Sequence, residues 1–254
     1  MVLNSYLRGR LAEKQILLMT HIVLGYPSLE ASLKIIETMV EAGVDLIELQ
    51  IPFSEPTADG PVIAHANQKA MEDGVTVEGC LNLAGLAVRT FDIPFLMMSY
   101  YNIPFKYGLK RFVSALSDCG LQGAIIPDIP PEEGREYLAA MQRRDLAPIL
   151  IYSPATSVER MRYIAAFAAG FIYCVARKGV TGEKTNFSDD LEAYLKKCRE
   201  GTDLPLALGF GIKKRSDIDF LKSKADIAVI GSQTIRVMEE DGIEAVGNFI
   251  RGLR

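Results

Sequence analysis

"SLEASLKIIETMVEAGVDLIEL", Ser28 to Leu49, contains the repeating unit from which the whole fold can be read. Leu29, Leu33, Ile36, Met39 and Val40 recur at helical spacing and place one apolar stripe along a helix over 28–42. Ser28, after Pro27, offers an N-cap, and Gly43 offers the C-terminal stop. A short apolar run follows at once and contains an acid, Glu48. The same order of helix, glycine, apolar strand and acid returns in "LKRFVSALSDCGLQGAIIPD", Leu109 to Asp128.

Extended in both directions, this grammar fills the chain. Apolar runs fall at Ile16–Leu24, Leu46–Ile51, Phe95–Tyr100, Gly123–Ile126, Ala147–Ile151, Phe171–Val175, Leu206–Leu208 and Ile227–Ile230. Most lack alternation, as strands buried on both faces do. Between them, helical patterns cover Pro61–Glu72, Leu109–Cys119, Pro131–Arg143, Val158–Ala168, Asp189–Arg199, Lys213–Ser223 and Glu239–Leu253. Strands alternating with helices imply parallel pairing through right-handed crossovers, and eight repeats favour closure into a barrel. The expected fold is α/β: a (β/α)8 TIM barrel over residues 1–254 as a single domain. An extra N-terminal helix over Val2–Leu11 is placed to plug its bottom.

Composition narrows the function. The chain has 254 residues, 49% of them apolar and 24% charged, with a net charge of −4, an ordinary globular balance. No stretch mixes Lys and Arg with aromatics, which argues against nucleic acid as a partner. No apolar run is long enough for a membrane span. "ILLMTHIVLG", Ile16 to Gly25, lacks a small-residue cleavage site and reads as a buried strand rather than a signal peptide. Four scattered cysteines, without a CxxC pair, and only two histidines make a structural zinc site improbable and fit a reducing cytoplasm.

The chemistry concentrates in "ELQIPFSEPTADGP", Glu48 to Pro61. In such barrels reactive groups sit where strands end and βα loops begin. Alternation turns Glu48 and Gln50 to the same side of the second strand. A carboxylate there loses solvation and moves towards the range useful for acid/base work, unless it pairs with a lysine or arginine in the barrel. Pro52, Pro56 and Pro61 forbid a helix through the next interval. Asp59 therefore either folds back to the same pocket or serves as a turn or cap residue before Pro61. Later strands end in glycines: "KGVTG" (Lys178–Gly182), "GFGI" (Gly209–Ile212) and "GSQT" (Gly231–Thr234). Loops after the seventh and eighth strands commonly cradle a phosphate, because glycine lets backbone N–H groups approach its oxygens. The long polar connection from Lys178 to Asp189 has the character of a lid.

These motifs together resemble the tryptophan synthase alpha chain family. "PFSEPTADGP" is similar to its signature, and "LGYPS", "SYYN" (Ser99–Asn102), "PDIPPEE", "GVTG", "GFGI" and "GS" follow in family order along essentially the whole chain. The resemblance implies reversible cleavage of indole-3-glycerol phosphate to indole and glyceraldehyde 3-phosphate. It implies that Glu48 is the principal acid/base, Asp59 the second catalytic carboxylate, and Tyr173 a tyrosine beside them. It places Tyr100, Thr181, Gly182, Phe210, Gly211, Gly231 and Ser232 around the substrate, the glycines and Ser232 at its phosphate. It implies no cofactor in this chain, and a pyridoxal-phosphate beta chain as partner in an alpha2beta2 complex. Glu48 at a strand end and Asp59 in a more solvated loop would then hold different protonation states. Thr181, in the lid, would hydrogen-bond Asp59.

The chain departs from the family pattern at several points. Gln50 stands where glycine is usual, His21 where Phe or Tyr is usual, and Val23 where Thr is usual. Glu55 and Thr57 replace aspartate and leucine, and Gln233 replaces a small residue after Gly-Ser. His21 and Gln50 are expected near the indole pocket, with His21 a core or pocket-wall residue. Glu55 and Thr57 lie in a loop that meets the beta chain in the family.

Overall fold

A computed structural model of the chain describes residues 2–176, 189–209 and 211–254. Eight strands pair in chain order: β1 (Leu17–Val23), β2 (Leu46–Gln50), β3 (Phe95–Met98), β4 (Gly123–Ile125), β5 (Ala147–Tyr152), β6 (Ile172–Val175), β7 (Leu206–Gly209) and β8 (Ile227–Ile230). All pairs are parallel, and β8 closes onto β1 through the register Leu17↔Ile227 to Thr20↔Ile230. The described helices are α1 (Val2–Glu13), α2 (Leu29–Glu41), α3 (Pro61–Glu72), α4 (Val77–Thr90), α5 (Asn102–Tyr107), α6 (Leu109–Asp118), α7 (Arg135–Arg143), α8 (Val158–Ala165), α9 (Asp189–Gly201), α10 (Arg215–Leu221), α11 (Ser232–Asp241) and α12 (Ile243–Gly252). The expected TIM barrel is the observed architecture.

Several helix boundaries differ from the sequence reading. The pattern over Glu239–Leu253 is two helices, because Gly242 at φ 87° leaves the helical region and separates α11 from α12. The segment at Pro131 forms a turn before α7, with the Gly134 N–H on the Pro130 carbonyl. α4 and α5 lie in segments where the sequence reading assigned no helix. The Thr76 hydroxyl caps α4 by accepting from the Gly79 N–H at 3.1 Å.

Strand alternation sorts the core into two layers. Ile47 and Leu49 face outward into the packing against the helices. Leu17, Met19, Leu46, Leu96, Met98, Ile125, Ile149, Phe171, Ala207, Ile227 and Val229 fill the barrel interior. Leu3 and Leu7 of α1 join that interior cluster with no exposed surface, so the N-terminal helix does close one end. Asn4 Oδ1 accepts from the Gly170 N–H at 2.9 Å, tying α1 to the approach to β6. Asp45, fully buried, gathers Lys14 at 2.5 Å, Arg10 at 3.1 Å, Arg254 at 3.2 Å and the Leu18 N–H at 2.9 Å. Both chain ends are thereby fastened to the N-terminal face, at the start of β1 and β2. The opposite, C-terminal mouth is where the interior turns polar.

Truncating the plug tests its contribution. A buried leucine cut to alanine costs about 2–5 kcal/mol through lost transfer energy and the cavity left behind. Leu7→Ala is expected to lower the urea unfolding midpoint accordingly, whereas Val2→Ala, at a 66% exposed position, is expected to leave it nearly unchanged.

Candidate active site

The polar layer begins where β1 and β2 run side by side. Their register places His21 directly against Glu48, and Val23 against Gln50. His21 Nδ1 lies 2.6 Å from Glu48 Oε1, with only 3% and 5% of the two side chains exposed. Glu48 therefore has a partner in the barrel, and it is a histidine rather than a lysine or arginine. Burial disfavours a charged imidazole, but the hydrogen bond and charge of Glu48, joined by Asp59 and the Gln50 side chain, raise His21 above its ordinary value. Glu48 Oε2 and His21 Nε2 are buried without a hydrogen-bond partner among the described residues.

Asp59 reaches the same layer from the loop after β2. Its carboxylate Oδ2 accepts from Gln50 Nε2 at 2.7 Å and from the Tyr100 hydroxyl at 3.0 Å. The alternative use as a helix cap is not adopted: Gly60 is the N-cap of α3 and no side chain caps it. The loop's course is fixed by two neighbours. Asn67 Oδ1 accepts from the Phe53 N–H at 2.9 Å and Gln50 Nε2 at 3.3 Å, while the Tyr100 hydroxyl accepts from the Ala58 N–H at 3.0 Å. Phe53 stacks on Tyr100 with ring centroids 5.1 Å apart. Glu55 and Thr57 remain exposed on the outer side of this loop.

One expectation is corrected here. Asp59 is not the solvated partner of a buried Glu48. Desolvation is the largest influence on it and raises its carboxyl above the ordinary value, although His21, Gln50 and Tyr100 pull the other way. The proline-pinned loop brings the carboxylate to the Tyr100 hydroxyl and the Gln50 amide, which the sequence pattern alone did not disclose.

Tyr173 projects from β6 into the interior cluster. Burial, with the charges of Glu48 and Asp59, pushes its hydroxyl well above the ordinary tyrosine range, so it stays protonated. An added Cβ on Gly209 would come within 3.0 Å of the Tyr173 hydroxyl, so glycine at the end of β7 leaves that ring its place. Gly211, at φ 87°, turns the chain away after β7. Gly231 ends β8 and is the N-cap of α11, with no side chain capping the helix, and Ser232 is its first residue. A Cβ there would meet Ile63 Cδ1 at 3.6 Å and His21 Cβ at 3.9 Å, ordinary contact distances, so Gly231 lies against the wall that His21 belongs to. Gly182, Thr181 and the lid over Lys178–Asp189 lie outside the described residues apart from the backbone of Asp189, which begins α9, and so does Phe210. Sequence reasoning missed Asn67 and the roles of His21 and Gln50 as partners of the acids. The signal for the latter was parity: all three of His21, Glu48 and Gln50 fall on inward positions of adjacent strands.

Acids and glycine loops thus meet at the end of a closed parallel barrel where such folds carry out their chemistry, and the class is that of a TIM-barrel enzyme. The pattern of the family described as "Tryptophan synthase alpha chain" matches residues 8–249. The tryptophan synthase alpha chain of Desulforapulum autotrophicum is 59% identical, over 99% of this chain and 100% of that one. That of Syntrophotalea carbinolica is 58% identical over the full length of both. A structure of Mycobacterium tuberculosis tryptophan synthase superposes with a TM-score of 0.92 at 28% identity, covering 99% of this chain and 96% of that one. The chain belongs to the tryptophan synthase alpha chain family, lyases that cleave indole-3-glycerol phosphate.

The raised carboxyl of Asp59 has a stability signature. A folded-state pKa above the unfolded one means that the native chain binds more protons, so stability falls as pH rises from about 4 through the folded value. Asp59→Asn removes that loss and can still accept from Gln50 or Tyr100. It is expected to be more stable than the parent at neutral pH and no more stable below about pH 4. Urea unfolding at a series of pH values checks this, and a constant difference across the range would contradict it.

Proposed function

We propose that this chain splits indole-3-glycerol phosphate into indole and glyceraldehyde 3-phosphate with Glu48 and Asp59 as its working acids. The observation that carries the reading is the convergence of two desolvated carboxylates, from β2 and the loop after it, beside the glycine ends of β7 and β8. Breaking the bond between the indole ring and its side chain first requires a proton on the ring carbon that bears it. That step ends aromaticity and places positive charge at the ring N–H. Asp59 answers that charge. Its hydrogen-bond partners among the described residues, Gln50 and Tyr100, are neutral, so a cation developing on the substrate can draw on its carboxylate directly. Glu48 delivers the carbon proton and then takes the substrate's hydroxyl proton as the bond breaks. Tyr173, held neutral beside both acids, is a hydroxyl donor for the substrate.

The phosphate binds at the other part of the mouth. Gly211 and Gly231–Ser232 supply backbone N–H groups, and the uncapped start of α11 adds its dipole. Gly182 and Phe210 complete that end by family resemblance, and Gln233 narrows it. The chain needs no cofactor of its own. Its partner is a pyridoxal-phosphate beta chain in an alpha2beta2 complex that takes up the indole in the cytoplasm. The loop after β2 supports this, since Asp59 faces inward while Glu55 and Thr57 face out on the same short segment.

Glu48→Gln keeps the shape and removes proton transfer, so the cleavage rate is expected to fall by about 10²- to 10⁴-fold with an unchanged circular-dichroism spectrum. Steady-state cleavage, followed with and without a beta chain, is the assay. A near-parental rate for Glu48→Gln would end the assignment, and a rate indifferent to the beta chain would end the partnership. Inorganic phosphate is expected to compete with substrate for the parent protein and to compete less well in Gly231→Asp, measured as the inhibition constant of each.

A further inference from the structure

The pair formed by His21 and Glu48 extends this reading. His21 sits on β1, in register with Glu48 on β2, and both side chains point into the barrel. Nδ1 engages one carboxylate oxygen at 2.6 Å and leaves the other, Oε2, unpartnered among the described residues. A glutamate on a strand has two free side-chain torsions beyond its first, and a buried one left alone would settle against any donor nearby. Here the donor is fixed by the barrel's own hydrogen-bond ladder. On the basis of the proposed role of Glu48, we infer that His21 is its positioning residue: it anchors Oε1, presents Oε2 to the substrate, and shares the proton that passes between Glu48 and the ring carbon.

Proton count supports the arrangement. Cleavage takes one proton from Glu48 to the ring carbon and returns one from the substrate hydroxyl to Glu48. The carbon–carbon bond breaks, the side-chain carbon becomes the aldehyde, and the electron pair restores the aromatic ring. The His21–Glu48 pair therefore ends the turnover with the protons it began with. Between the two transfers Glu48 is anionic in a buried site, and the Nδ1–H of a neutral His21, 2.6 Å away, stabilises that state by its hydrogen bond. The titratable groups around His21 are few. Glu48 and Asp59 raise it, Tyr100 and Tyr173 adjoin those carboxylates with their hydroxyls neutral, and Tyr26, hydrogen-bonded to Glu239, lines a small cavity with it. From α11 comes Thr234, which has no charge.

The full chain has two histidines, and His65 is exposed, so the imidazole signals can be assigned by a His65→Asn control. NMR titration of the parent is expected to place His21 above the ordinary value of about 6.5. In Glu48→Gln the same signal is expected to titrate below that value, because burial is then less opposed. In cleavage assays, His21→Phe is expected to lower kcat by about 10- to 100-fold, as misplacement of a reacting group does, with KM little changed. Loss of the imidazole also moves the pH–rate profile, because the protons of the hydrogen-bonded pair titrate as a unit. His21→Asn restores a donor that cannot titrate, so it is expected to recover part of kcat but not the parental pH–rate profile. An unchanged His21 titration in Glu48→Gln, or a parental kcat and pH profile in both His21 variants, overturns the inference. Full activity in Glu48→Gln overturns the catalytic reading and the inference with it. An inactive Glu48→Gln beside parental His21 variants overturns the inference alone.

Discussion

The register between β1 and β2 is the constraint on which the mouth of the barrel depends. Five consecutive pairs, from Met19↔Leu46 to Val23↔Gln50, fix it. A slip of one residue would turn Glu48 and Gln50 outward among Ile47 and Leu49, into the packing against the helices. Closure makes such a slip still harder, since β1 is also paired with β8 and each strand's position is set from both sides. The lower interior adds its own requirement. Leu17, Met19 and Leu46 must face Leu3 and Leu7 of α1 for the plug to seat. The apolar bottom thereby determines which side chains stand at the polar top.

That top layer concentrates groups that a barrel interior disfavours. Glu48, His21 and Gln50 are all buried, and Asp59 is pressed inward by its loop. Gln50 and Tyr100 serve Asp59, whereas a titratable imidazole, His21, serves Glu48. The opposite face is treated differently: Asp45, equally buried, is surrounded by Lys14, Arg10 and Arg254. A structural carboxylate is neutralised by several cations, and the acids at the mouth are left short of them. This asymmetry is what distinguishes a clamp from a reactive site, because charge left unanswered in the resting protein is available to a substrate.

Much of this was legible in the sequence, for identifiable reasons. Most strands were visible because they are buried on both faces and read as largely apolar runs without alternation. α2 was visible because its stripe, its Ser28 cap and Gly43 agree. α4 was not recognised, although Thr76 caps it, since alanines and glycines dilute its stripe. The junction at Gly242 was lost because two short helices on the same layer continue one apolar pattern. Glu48, Asp59 and the glycine loops were singled out by type and position. Their partners were not, because the contacts His21–Glu48, Gln50–Asn67 and Tyr100–Asp59 join residues 27, 17 and 41 positions apart and arise only when the barrel closes.

The two inward departures from the family pattern, His21 and Gln50, are best understood together. Each places a polar side chain where the family usually has an aromatic ring or no side chain at all, and each engages one of the two acids. They stand on adjacent strands, one inward position apart, and the Gln50 side chain also helps hold the proton on His21. The result is a continuous polar row, His21, Glu48, Gln50 and Asp59, across one wall of the mouth. Returning only one of these positions to an apolar or absent side chain would leave its neighbour buried with fewer partners, a loss larger than that of the contact itself. Changes at the two positions should therefore not be additive, because a shared network rather than two separate contacts determines how the acids are held.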